Sequence, residues 1–123
     1  MESKSIQRLK RTSDYGFLRE KGRVFRAENW LLWSYLKYHD SQQQAFRWGV
    51  TVPKKVGTAV LRNKMKRWCL EYFKQNQVHL ESIDMDLNVV FIAESRHEYK
   101  KMLYTDFKKS MDKGLHFIQK VVE

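Results

Sequence analysis

Residues 54 to 74, KKVGTAVLRNKMKRWCLEYFK, carry seven cations (Lys54, Lys55, Arg62, Lys64, Lys66, Arg67 and Lys74) against one acid, Glu71. The chemistry open to such a stretch is anion binding. Turned at about 100° per residue, Leu61, Met65, Trp68, Cys69, Tyr72 and Phe73 gather on one side, which predicts a helix packed by its apolar face on a sheet. Arg62, Asn63, Lys66, Arg67 and Lys74 are assigned to the opposite side, and Lys54 and Lys55 to the turn before Thr58, the expected helix cap. A merely soluble helix mixes signs so that side chains pair at i, i+4. Here Arg62 and Lys66 repel each other unless an anion lies over them, and the helix N-terminus adds its own positive end. Leu70 falls in the middle of this face and is expected to be exposed.

No other group of residues forms a reactive constellation. A nuclease acting alone would gather carboxylates around a metal or set up a histidine acid–base pair. His39, His79, His97 and His116 are scattered with no i, i+4 spacing, and Asp84 and Asp86 read as turn residues ahead of a strand. Cys69 lies on the apolar face and reads as an inert filler. KKVG lacks the GK[ST] ending of a phosphate loop. No catalytic residue and no metal ligand is therefore expected in the chain.

The elements that must position the basic helix follow from the rest of the sequence. The chain has 123 residues and a formal charge of +10, with 42% hydrophobic content, enough for one core and one domain spanning 1–123. So large a positive excess attracts polyanions, nucleic acid above all. No apolar run approaches the roughly 20 residues of a membrane span, Met1 to Arg11 lacks the apolar centre of a signal peptide, and a single cysteine suits a reducing compartment. A cytoplasmic protein with no membrane partner is expected, and residues 1–11 read as a flexible basic tail. TSDYGFLREKG (12–22) predicts a short helix with Thr12, Ser13 or Asp14 as cap and Gly22 as stop. NWLLWSYLKY (29–38) and FRWGVTV (46–52) read as strands paired antiparallel across the polar HDSQQQ turn, with a further strand at 23–27. DLNVVFIA (86–93) is a buried strand. Leu103, Phe107, Met111, Leu115, Ile118 and Val122 mark a closing amphipathic helix. The order helix, strands, helix, strand, helix makes the fold α+β.

WGVTVPKK followed by GTAVLRNKMKRW resembles the signature of the bacterial ribonuclease P protein subunit, and the likeness extends to RLKRTSDYGFLREKG, NWLLWSYL and VVFIA in the same order. The resemblance implies an α/β sandwich of about four strands and three helices with a left-handed βαβ crossover. It implies a partnership, one protein to one RNA, with a catalytic RNA that uses Mg²⁺ to remove the 5′ leader of precursor tRNA, the protein assisting. It assigns catalytic-RNA binding to Lys54, Lys55, Arg62, Asn63, Lys64, Lys66 and Arg67. It assigns leader binding, in a cleft between the first helix and the sheet, to Tyr15, Arg19 and Trp33. Aromatic faces beside cations suit single-strand binding, because every base has a face that stacks. For Trp30, Trp48 and Trp68 a core role is the stronger reading.

The sequence departs from the family pattern at four places. Arg19 stands where a second aromatic is usual, so leader grip there is expected to be ionic or by guanidinium stacking. Leu70 stands where an arginine is common, Pro53 stiffens the strand exit, and ESRHEY lacks the usual basic residue after the late strand. The competing reading is a ribosomal or other RNA-binding protein of similar fold with no role in tRNA maturation.

Overall fold

A computed structural model describes residues 6–37 and 46–122. Among the described residues the order is β1 (Gln7–Arg8), α1 (Thr12–Lys21), β2 (Arg23–Glu28), β3 (Leu31–Lys37), β4 (Phe46–Thr51), α2 (Ala59–Gln75), α3 (Gln77–Leu80), β5 (Met85–Phe91) and α4 (Tyr104–Val121). Single turns of 3₁₀ helix occur at Lys54–Val56, Ala93–Ser95 and Tyr99–Lys101. The class is α+β as expected, with a five-stranded sheet and a fourth, four-residue helix beyond the anticipated elements.

The sheet order is β1-β4-β5-β3-β2. β1 and β5 both run parallel to β4, whereas β3 is antiparallel to β5 and β2 is antiparallel to β3. The expected antiparallel pairing of residues 29–38 with 46–52 does not occur, because β5 lies between β3 and β4. The reason is burial. Residues Met85 to Val89 are buried without interruption, and a strand that hides both faces belongs at the centre of a sheet. α2 is thus the crossover between the parallel neighbours β4 and β5. HDSQQQ lies outside the described residues.

The basic N-terminus is also more ordered than a tail. Gln7 and Arg8 pair with Arg47 and Trp48, Leu9 donates its N–H to the Trp48 carbonyl at 2.7 Å, and the Leu9 side chain is buried. Residues 1–5 of the expected tail lie outside the described residues.

Strand alternation gives the sheet two unlike faces. Leu31, Trp33 and Tyr35 of β3, Phe46 and Trp48 of β4, and Leu87, Val89 and Phe91 of β5 share one face and are all buried. α2 covers it with Met65, Cys69, Tyr72 and Phe73, and α4 with Phe107, Met111, Leu115 and Ile118. Phe73 stacks on Trp48 at 4.6 Å between centroids, and Phe107 stacks on Phe91 at 6.3 Å. The Tyr72 hydroxyl donates to Asp112 at 2.6 Å, locking α2 to α4. Gly114 lets α4 approach closely, since a Cβ there would overlap the Trp33 indole.

That close approach yields a prediction. Alanine ordinarily stabilises a helix interior by about 1 kcal/mol over glycine. Gly114→Ala is nevertheless expected to lower stability by roughly 1–3 kcal/mol through overpacking, read as a drop of several degrees in melting temperature. A melting temperature raised by the substitution would mean that the helix does not rest on Trp33.

Candidate nucleic-acid interface

The second face of the sheet carries Arg47, Gly49 and Thr51 of β4, Asp86, Asn88 and Val90 of β5, and Leu32 and Ser34 of β3. It is polar where the other face is apolar, and among the described residues only the short α1 lies over it. Leu18 anchors that helix, being buried, while the Ser34 hydroxyl donates to the Leu18 carbonyl at 3.4 Å. The Gly22 N–H closes the helix on the same carbonyl at 2.8 Å. Arg11, the residue at the cap position, makes no side-chain capping bond, so Thr12, Ser13 and Asp14 all lie within the first turn and do not cap it.

Between α1 and the sheet a cavity of about 310 Å³ remains, bounded by Tyr15 and Arg19 on the helix and by Leu32, Ser34, Thr51 and Asn88 on the strands. The Tyr15 ring lies across Gly49, where a Cβ would overlap its hydroxyl, and that hydroxyl donates to the Leu9 carbonyl at 3.3 Å. The polar floor is internally satisfied. Arg47 holds Asp86 with two bonds of 2.8 and 2.6 Å and lies 3.6 Å from Asp14. Thr51 and Asn88 exchange hydrogen bonds at 3.2 and 3.0 Å. A floor so neutralised presents apolar patches and hydrogen-bonding groups with no net anionic charge, which a nucleic-acid strand can approach.

Two of the three residues assigned to this cleft are in it. The third, Trp33, is not: it is 0% exposed, on the opposite face, beneath Gly114 and beside Phe73. Ser34 is the available signal. A serine in a run of apolar residues marks the open face, and residue 33, one step away, must point into the core. Leu32 and Ser34 take the place given to Trp33. The readings of Trp30 and Trp48 as core hold, and half-buried Trp68 packs against Tyr104 and Phe107. Asp86 is no turn residue but the second residue of β5.

The basic helix begins as expected. The Thr58 hydroxyl oxygen accepts the Leu61 N–H at 3.2 Å, and Lys54 and Lys55 stand in the turn before it, both exposed. Asn63, Lys66 and Arg67 are exposed on α2. Arg62 is half-buried at the edge of the packed face, and its Nε donates to the Gly57 carbonyl at 3.2 Å. It ties helix to turn instead of standing on the outward face. Lys64 occupies a flank, its ammonium 4.8 Å from the centroid of Trp68. Leu70, expected to be exposed, is half-buried and packs against the core. An equal turn per residue hides this, because core packing spreads past the ideal stripe.

The N-terminal strand adds cations that the tail reading misses. Arg8, Lys10, Arg11 and Arg47 border a second depression of about 580 Å³ beside α1, with Asp14 the acid among them. The Arg8 guanidinium lies 4.2 Å above the Trp48 ring. Burial pushes the Cys69 thiol far above its ordinary range, which removes the thiolate needed for reaction. Among the described residues no three His, Cys, Asp or Glu side chains come together as a metal site. The acids nearest the cleft, Asp14 and Asp86, both face Arg47.

The chain is similar to known proteins over most of its length. The family model for Ribonuclease P matches residues 4–119. The ribonuclease P protein component of Desulfatibacillum aliphaticivorans is 39% identical over 84 residues, covering 68% of this chain and 67% of that protein. That of Macrococcus caseolyticus is 30% identical over 105 residues, 85% of this chain and 84% of the relative. The solved structure of the Staphylococcus aureus RNase P protein superposes with a TM-score of 0.76 at 27% identity, covering 90% of this chain and 94% of the other. The Thermotoga maritima RNase P protein shares the fold with a TM-score of 0.74 at 22% identity, over 88% of this chain and 94% of that one.

The half-burial of Leu70 makes Leu70→Arg a destabilising change. Partial desolvation of the guanidinium and removal of the leucine packing are expected to cost about 1–3 kcal/mol. Thermal melting of the variant checks this, and an unchanged midpoint would put Leu70 back in solvent.

Proposed function

The chain belongs to the ribonuclease P protein family, and from that premise we propose that its two basic surfaces hold two different parts of the RNA. As the protein component of ribonuclease P it is a subunit of a tRNA-processing endoribonuclease complex and associates with the RNA of that complex. Family membership sets aside the ribosomal alternative. The outward side of α2 and its preceding turn, with Lys54, Lys55, Asn63, Lys66 and Arg67 exposed, Lys64 on the flank and Arg62 bracing the turn, lies against the catalytic RNA. The cleft under α1 holds the single-stranded 5′ leader of precursor tRNA.

The observation that carries the cleft assignment is the pairing of a half-open Tyr15 face with exposed Arg19 over a floor whose Thr51 hydroxyl and Asn88 amide are hydrogen-bonded to each other. A base stacks on the ring while its phosphate meets the guanidinium, and neither interaction depends on base identity. Leader phosphates leaving the cleft meet the rim of Lys10 and Arg11. The protein supplies binding and position. Mg²⁺ and the hydrolytic step belong to the RNA, and the two acids nearest the cleft, Asp14 and Asp86, are already held by Arg47. The complex forms one to one, in the cytoplasm.

Reconstitution with the catalytic RNA tests both surfaces. Tyr15→Ala is expected to weaken affinity for leader-bearing precursor tRNA by about 1–3 kcal/mol and to leave mature tRNA nearly unaffected. Equal weakening for both would move the leader elsewhere. Lys66→Ala with Arg67→Ala should reduce the dependence of log affinity on log salt by about 0.7–0.9 for each phosphate that is no longer neutralised. A folded double variant with the original slope would remove α2 from the RNA interface.

A further inference from the structure

A groove of about 580 Å³ opens where the start of α2 meets the 97–101 segment, and it shares no lining residue with the cleft under α1. Val56, Val60 and Leu61 form its apolar wall, and Lys64, Lys100 and Lys101 stand around it. Val60 is 80% exposed, the most open of the large apolar side chains among the described residues. Such a residue at the mouth of a groove, ringed by lysines, is unexpected for a helix that needs only solvent on this side. Glu98 is the one acid in the lining, and it pairs with Lys101 at 3.2 Å. The balance therefore stays positive.

Cations around an apolar wall suit a ligand that is anionic and carries an uncharged planar face. A nucleotide has both. The size falls within the range of clefts that enclose a small ligand. The wall also fixes the source. Val56 closes the same 3₁₀ turn that presents Lys54 and Lys55, so a polyanion covering those lysines runs directly over the mouth of the groove.

We propose that this groove takes one unpaired nucleotide of the ribonuclease P RNA, its base or ribose against Val56, Val60 and Leu61 and its phosphates against Lys64, Lys100 and Lys101. The inference rests on the reading that α2 faces that RNA, and it adds an apolar interaction to an otherwise ionic interface. Ionic interactions are released by salt, whereas an apolar one is not, and the two therefore separate in a salt titration.

The test measures binding of the full chain to the ribonuclease P RNA across a range of salt concentrations. Val60→Ala is expected to weaken binding about three- to tenfold at every salt concentration with an unchanged slope. Val60→Lys, although it adds a cation, is also expected to weaken binding at high salt. Thermal melts of both variants should match the parent, because residue 60 is exposed. Unchanged affinity for Val60→Ala, or tighter binding by Val60→Lys at all salt concentrations, would overturn the inference and leave the groove to an acidic protein segment. Lys66→Ala with Arg67→Ala serves as the control. If that variant flattens the salt slope while both Val60 variants bind normally, only the groove assignment fails. If the control also binds normally, the RNA-facing reading of α2 fails and takes the groove with it.

Discussion

Everything in this molecule is arranged around two polar residues in its central strand. Asp86 and Asn88 are buried in β5, both on the face away from the main core. A buried carboxylate or amide is tolerable only with partners. Here β4 supplies them: Arg47 grips Asp86, and Thr51 pairs with Asn88. Because the polar requirement of this face is met within the sheet, no long apolar helix is needed over it. Ten-residue α1 suffices, and the space it leaves is the cleft.

The opposite face is the complement. It buries tryptophans, phenylalanines and leucines under α2 and α4, and α2 consequently has no freedom to rotate. The basic residues are held outward by what the apolar ones hold inward. Arg62 strengthens this by bonding back to Gly57, so that the lysine-bearing turn and the helix present one surface. Orientation of the charged side is thus a by-product of core packing, with no dedicated scaffold.

What can be read from the sequence is whatever depends on neighbours along the chain. Thr58 as a cap, the Met65–Cys69–Tyr72 stripe and the extent of β2, β4 and α4 all follow from local pattern, and the structure agrees. The partnering of strands is different. A polar turn between two strands suggests a hairpin, but β5, far along the chain, has an apolar run that competes for the central place and wins it. β1 is two residues long, too short to show any period, and its ordering depends on the edge of β4 being vacant. Trp33 escapes the sequence reading for another reason. Its aromatic type suggests base stacking, but its parity with Leu31 and Tyr35 puts it in the core. Residue type suggests what a side chain can do, whereas parity decides where it can do it.

The central position of β5 has a consequence for how the protein is made. Its two neighbours, β3 and β4, are complete long before β5 leaves the ribosome, and they have nothing to pair with each other through. Until then only the β2–β3 hairpin is local, while Trp33, Phe46 and Trp48 have no core to enter. The last strand is therefore the closing piece, and the entropy of closing loops over long separations is spent before the sheet returns any of it. A nascent chain of this kind is an open, cationic, aromatic-rich polymer emerging beside ribosomal RNA. The native sheet is complete only once β5 has been made, and a chain ending before residue 85 lacks the strand that joins β3 to β4.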